Sequence, residues 1–251
     1  YATAGKYTVT AIGQCMVLMQ AKYENDNLVK KDVILDWSRA GESTSIFDIL
    51  GVKSFITKLI HIGKDMGFEV LDSSFAGQTK LKEIPAGIFD GLTEVTDFYS
   101  VFIACTGITS VPAGLFDKCP NVTTFRDCFA VCTGITSIPE GLFDNCPLVT
   151  DFVGTFQECT ALESIPTGLF DNNKKVTKFS NTFYSCTELT GESPYTIINV
   201  DGEDKKVHLY ERSLYPEHFT TPTSYDVCFG DCTGLSDWNE ITATKWDRYN
   251  F

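Results

Sequence analysis

The sequence predicts an α/β solenoid with β-rich caps, and three observations carry that expectation: a repeat of fixed period, a short apolar run closed by proline in each copy, and a helix-spaced apolar stripe in each second half. The segment from Cys105, CTGITSVPAGLFDKCPNVTTFRDCFAV, recurs from Cys132 as CTGITSIPEGLFDNCPLVTDFVGTFQE and from Cys159 as CTALESIPTGLFDNNKKVTKFSNTFYS, a period of 27 residues. An earlier copy runs from Gln78 as QTKLKEIPAGIFDGLTEVTDFYSVFIA, and a fragment before it keeps Leu71 and Phe75 in register with Phe98 and Phe102. A fifth copy opens at Cys186.

Each column has a chemical reading. Leu81, Ile108, Ile135 and Leu162 open an apolar stretch that closes at Ile84, Val111, Ile138 and Ile165, each followed by proline. Proline cannot donate the next ladder bond, so this reads as a short strand and its stop. Gly87, Gly114, Gly141 and Gly168 then supply a turn, and the Leu-Phe or Ile-Phe pair after each glycine supplies bulk to bury. In the second half, Val122, Phe125, Phe129 and Cys132 fall at offsets 0, 3, 7 and 10, and Val149, Phe152, Phe156 and Cys159 repeat them. That spacing predicts one face of a short helix. A unit of strand, turn and short helix cannot bury its apolar face alone; stacked neighbours bury it.

The ends depart from the pattern. Residues 1–37 alternate well enough for three strands, around Lys6 to Ile12, Met16 to Tyr23 and Val29 to Trp37, with Glu24-Asn25-Asp26-Asn27 as a turn. Ser43 to Leu59 is less regular, and Leu59 to Ile62 reads as a degenerate first repeat strand. Past Cys186, Tyr195 to Val200 and Val207 to Arg212 flank Asp201-Gly202-Glu203-Asp204, which predicts a β-hairpin with an acidic tip. The repeat then resumes with Phe229 and Cys232 in place of Phe183 and Cys186, and Trp238 and Trp246 are expected to seal its end. The expected organisation is a β cap over 1–63, repeats over 64–193, a hairpin insertion over 194–222, and a final partial repeat with its cap over 223–251.

The pattern L-x-x-[IV]-P-x-G-[LI]-F-D followed by V-T-x-F-x-x-x-F-x-x-C resembles the BspA-like leucine-rich repeats of bacterial surface proteins, particularly those of gut commensals. The stretch SPYTIINVDGEDKKVHLYERSLYPEHF with CFGDCTGL is similar to the way such proteins end, and YATAGKYTVTAIG, within residues 1–13, is similar to the last strand of a PKD-like immunoglobulin-type domain. The resemblance implies a right-handed leucine-rich-repeat-like solenoid on an exported protein, extracellular or at the cell surface. Adhesion or ligand display is the function it implies, and it transfers no catalytic residue.

Composition narrows the partners. Lys and Arg total 20 against 33 for Asp and Glu, a net charge of −13, which disfavours nucleic acid and anionic membrane surfaces as partners. No apolar run reaches the roughly 18 residues of a spanning helix, so no membrane insertion is expected in this segment. The chain begins at Tyr1 without an initiator Met or a basic-then-apolar leader, so any targeting signal is expected upstream or already removed. A monomer is expected.

Candidate chemistry has plain readings beside it. Ten cysteines allow disulfides or metal, yet Cys105, Cys132, Cys159 and Cys186 form one column, and Cys119 and Cys146 another, which favours small buried thiols. Stacking also brings column neighbours within reach of one another, so disulfides stay open. Zinc is disfavoured: C-x-x-C is absent, and Cys128 with Cys132 or Cys228 with Cys232 lacks a second pair or spaced histidines. His61, His208 and His218 read as surface or hairpin residues with no triad, and Asp90, Asp117, Asp144 and Asp171 as turn or helix-capping residues. Asp201, Glu203 and Asp204 lack the spacing of an EF-hand.

The expectation is therefore no enzyme, no cofactor and no metal, but a binding module for a protein or glycan, host-derived in the setting the resemblance implies. A structural spacer is the alternative, and a carbohydrate-active enzyme a third. Within each strand the two residues between the apolar positions are small or polar: Lys82 and Glu83, Thr109 and Ser110, Thr136 and Ser137, Glu163 and Ser164. Stacking aligns them into a polar strip. Lys82, Thr109, Thr136 and Glu163 are the ligand-binding candidates.

Overall fold

A computed structural model describes the backbone of four strands before residue 63 and residues 71–249 with their side chains. Strands β1 (Gly5–Thr10), β2 (Met16–Glu24) and β3 (Asn27–Asp36) form an antiparallel meander, and β4 (Lys58–Ile62) adds to β3 in parallel. The three expected strands are present within a few residues. Leu59 to Ile62 is a strand, but it belongs to this terminal sheet. Ala11, Ile12, Trp37, most of the irregular stretch from Ser43, and the expected packing of the cap on the first repeat lie outside the described residues.

From Leu71 onward the units stack in register, with their aromatic rings in rows. Phe75, Phe102, Phe129, Phe156, Phe183 and Phe229 form one row of stacked rings, with centroids 5.4, 5.5, 5.6, 5.7 and 5.6 Å apart. A second row, Phe98, Phe125, Phe152 and Phe179, interlocks with a third, Phe89, Phe116, Phe143 and Phe170, through tilted and edge contacts such as Phe116 with Phe125 at 4.6 Å. These separations lie in the favoured range for offset and edge-on pairs. Ile108, Ile135 and Leu162 form the expected buried row beside them, each with no exposed surface.

The expected short helix is corrected. Among the described residues of the repeats there is no α-helix, and the apolar stripe lies on overlapping turns instead. In the second unit, the amides of Phe98, Ser100, Phe102 and Ala104 donate to the carbonyls of Thr124, Arg126, Cys128 and Ala130 one unit on. The alternating amides of Val101, Ile103 and Cys105 close four-residue turns onto the carbonyls of Phe98, Ser100 and Phe102. Half of the donors a helix would keep to itself therefore go to the neighbour. The geometry that allows this places Ser100, Ala104, Asp127 and Val131 at φ of 54°, 58°, 54° and 61°, a left-handed region that interrupts any right-handed helix. Spacings of 3 and 7 identify buried positions, and both arrangements bury the same ones.

The strands are corrected likewise. The L-x-x-[IV]-P stretch forms an isolated parallel bridge, Ser137 with Ser164, and Asp97, Thr124, Asp151, Lys178 and Ser224 form a bridged column elsewhere in the unit. Proline ends the ladder before a longer strand can form.

Buried polar columns close the interior. The thiols of Cys105, Cys132, Cys159, Cys186 and Cys232 donate to the carbonyls of Phe75, Phe102, Phe129, Phe156 and Phe183, at 3.0 to 3.2 Å. Thr155 and Thr182 hydroxyls serve the carbonyls of Phe125 and Phe152 in the same way. A regular cysteine column thus acts as a column of donors. The nine described cysteines are buried free thiols.

Burial pushes the thiols of Cys105, Cys119, Cys146 and Cys232 up to about 12, with Asp90 adding to it at Cys119, Cys119 and Asp117 at Cys146, and Asp231 at Cys232. A raised thiol favours folding below the unfolded value near 9, and that contribution is lost as pH rises through the folded value. Stability should therefore decline from about pH 9 upward, as equilibrium unfolding at stepped pH would register. Native protein at neutral pH should leave the nine described thiols unalkylated, while denatured, unreduced protein should yield them. Their loss to disulfides in the denatured titration would overturn the donor role.

The insertion starts after Gly191 and lengthens the interval between equivalent residues from 27, as for Thr96 and Thr123, to 46, as for Thr177 and Thr223. Its hairpin pairs β5 (Tyr195–Val200) with β6 (Glu203–His208) through a two-residue turn, Asp201-Gly202, at φ of 53° and 91°. Asp-Gly supplies the two left-handed positions this turn needs. The second strand therefore starts earlier than the expected Val207, Glu203 and Asp204 belong to it, and Leu209–Leu214 is a 3-10 helix. Ile198, Val207 and Phe219 form a small core of their own, with Tyr215 and Val200 against it.

After the last full turn the chain continues as α1 (Trp238–Ala243) and returns beside its own final unit. Val227 donates to Arg248 and Phe229 to Trp246, an order opposite to every preceding pair, such as Asn181 to Asp226 and Phe183 to Cys228. Trp246 lies against Tyr225, Phe179 and Phe229 at 4.8, 5.9 and 6.3 Å, and Trp238 is half-buried on the same core. Both tryptophans thus cover the terminal unit, as terminal repeats require.

Candidate functional site

Two regions present polar chemistry. The first is the strip. Lys82, Thr109, Thr136 and Glu163 are all exposed, and so are their neighbours Glu83, Ser110, Ser137 and Ser164. From Thr109 onward the backbone holds the strip in line, because Thr136 donates to the Thr109 carbonyl, Glu163 to that of Thr136, and Thr190 to that of Glu163. Units joined this way sit about 4.8 Å apart. The backbone beneath is tight: a Cβ on Gly134 would stand 2.7 Å from the Ile108 oxygen and 2.8 Å from that of Thr106. Glycine lets the coils approach under the strip.

The second region is the base of the insertion, which the sequence did not reveal as a cluster. His208, read as a surface or hairpin residue, lies on the hairpin at the end of β6 but is buried, with Tyr210 stacked parallel to it at 5.0 Å and Tyr195 edge-on at 5.6 Å. Its Nδ1 lies 3.2 Å from Glu211 Oε2 and its Nε2 3.1 Å from Glu192 Oε1. Lys206 Nζ bonds both Glu192 oxygens at 2.9 and 2.8 Å, and these bonds, helped by His208, hold the Glu192 carboxyl below its usual range.

Asp237, just before α1, completes the group. It accepts from the Ser193 amide at 3.0 Å, from the Ser193 hydroxyl, and from Tyr210 Oη at 3.2 Å. Serine, histidine and aspartate meet here, yet Ser193 donates to the carboxylate, so the acid occupies the place a nucleophile's base would take. The arrangement fastens the start of the hairpin, the 3-10 helix and the terminal cap to one another. In the sequence these residues are spread from 192 to 237, and no spacing rule links them.

Among the described residues, no group of three or more His, Cys, Asp or Glu side chains is placed to hold a metal ion, and no helix is long and apolar enough to cross a membrane. Asp90, Asp117, Asp144 and Asp171 sit in turns, their amides donating to Gly87, Gly114, Gly141 and Gly168. His218 is half-buried beside Phe219, and the surroundings of His61 lie outside the described residues.

No protein-family model matches the chain, and no curated protein matches it. Any family reading therefore rests on the repeat residues themselves.

Proposed function

We propose that the chain is a non-enzymatic binding module of an exported bacterial surface protein, a leucine-rich-repeat-like solenoid related to the BspA-like repeats. Its ligand is a protein or glycan of a host, met by the exposed polar strip. The observation that supports this reading is the strip itself: both residues of each pair are exposed, and three successive backbone bonds keep the units aligned. A row of hydroxyls and charges on a fixed spacing can bond an extended chain without reorganising.

The test begins with a screen of the purified protein against host matrix proteins and mucin glycans. For a ligand so found, replacing Thr109, Thr136 and Glu163 together should weaken binding by about tenfold or more while leaving the melting temperature unchanged, since exposed substitutions usually stay within about 0.5 kcal/mol of neutral. Unchanged affinity would move the site, with the hairpin from Tyr195 to Tyr210 the next surface to vary. Absence of any ligand would favour a spacer that holds a neighbouring domain.

A further inference from the structure

The chain contains two Asp-Gly pairs, Asp90-Gly91 and Asp201-Gly202, and the fold places them differently. Each fills the centre of a tight turn. The first turn is closed by the Leu92 amide donating to the Phe89 carbonyl at 2.9 Å, and both of those side chains are buried in the core. The second forms the tip of the hairpin between the paired residues Val200 and Glu203, and Asp201, Gly202 and Glu203 are all exposed. The Asp201 carboxylate makes no hydrogen bond or ion pair with the described residues. Apart from the chain neighbours of Gly202, no atom lies within 4 Å of the position a Cβ there would take, so nothing packs over the tip.

An exposed Asp-Gly pair carries a latent reaction. The Gly202 nitrogen can attack Asp201 Cγ, because glycine has no side chain to block the approach. An N–C bond forms, and the amide proton leaves with one carboxyl oxygen and a solvent proton as water. A second water reopens the cyclic imide at the former main-chain carbonyl. The chain then runs through Cβ and Cγ, an isoaspartyl link of unchanged mass. At Asp90-Gly91 the same rotation would drag Phe89 or Leu92 out of the core.

One side chain opposes the reaction at the tip. Asn199 Oδ1 accepts from the Gly202 amide at 3.1 Å, and Asn199 Nδ2 donates to Asp204 Oδ1 at 3.3 Å. The amide that must lose its proton and swing onto Asp201 Cγ is thereby held in another bond, and the Asp204 contact fixes which way the Asn199 amide faces. We propose that Asp201 is a site of spontaneous isoaspartate formation and that Asn199 is the positioning residue that slows it. The product lengthens the turn by one backbone atom, which breaks the match between turn and strand pairing that sets the register of a two-residue hairpin.

The experiment incubates the full chain at neutral pH and physiological temperature. Isoaspartate is mapped by methyl transfer from S-adenosylmethionine with an isoaspartyl methyltransferase, and placed by fragment-ion mass spectrometry. It is expected at Asp201 before Asp90. Asn199→Ala should speed its appearance by about two- to tenfold, the range that loss of one neutral hydrogen bond allows. Hydrogen exchange at the Gly202 amide should quicken with it, while the amides of Ile198 and Val207, in the small core of the hairpin, keep their rates. Isoaspartate confined to Asp90, or absent from residue 201 in wild type and Asn199→Ala alike, would overturn the site. An unchanged rate in Asn199→Ala, or acceleration with equally faster exchange at Ile198 and Val207, would overturn the role of Asn199.

Discussion

Replacing Phe156 by alanine is expected to destabilise the protein by about 3–5 kcal/mol, the usual range for truncating a buried aromatic side chain. Its ring has no exposed surface and lies between those of Phe129 and Phe183 at 5.6 and 5.7 Å, with Phe143 tilted against it at 6.3 Å. Its backbone is committed as well, the amide to the Thr182 carbonyl and the carbonyl to the Cys186 thiol, so the unit has little freedom to collapse around the gap. A stacked array is stabilised chiefly by contacts between neighbours. A hole in the middle weakens two of those contacts together, and chemical denaturation should show it as a lowered midpoint or a separation of the transition into steps. On heating, a fall on the order of 10 °C is expected for a chain of this size. Melting indistinguishable from wild type would remove Phe156 from the core.

The second large effect is expected at Arg212, where alanine should cost about 2–5 kcal/mol. Burial pulls the guanidinium down to about 9, which still leaves it protonated at neutral pH. The substitution strands the carbonyl of Asn173, a buried acceptor worth about 1–3 kcal/mol when left unpaired, takes a charged donor from that of Phe170, which keeps only the Asn173 amide, and withdraws the side chain from Phe219. Lys206→Ala provides the comparison, because that cation sits on the same hairpin but is exposed, and solvent screens its ion pair with Glu192 so that little stability is expected to be lost. Equal melting temperatures for the two variants would mean that the insertion is not anchored through Arg212.

Arg212 also shows where sequence reasoning stops. Its place at the edge of a hairpin marks it as one more charged surface residue, and only the register of Cys119, Cys146 and Asn173 across three units reveals the slot it fills. His208, Glu192 and Asp237 were hidden for the same reason. The strip was legible because alternation within a single unit is a local pattern, and Thr109, Thr136 and Glu163 needed only the period to be placed in line. The hairpin was legible in its first strand and its Asp-Gly turn, and misjudged in its second strand because the acidic Glu203 and Asp204 look like loop residues while pairing with Val200 and Asn199.

By itself, the sequence determined the 27-residue period, the rows that are buried, the exposed pairs between them and the interruption after Cys186. Each of these follows from side-chain character repeated along the chain. Only the tertiary structure decided where the backbone amides go: onto the next unit at Phe98, Ser100, Phe102 and Ala104, and onto a reversed chain end at Val227 and Phe229. Those partners are set by how the coils stack and how the end folds back, which no local pattern records. Apolar spacing says which side chains leave water, whereas a stripe on a helix and a stripe on stacked turns bury the same residues and differ only in how their hydrogen bonds are shared.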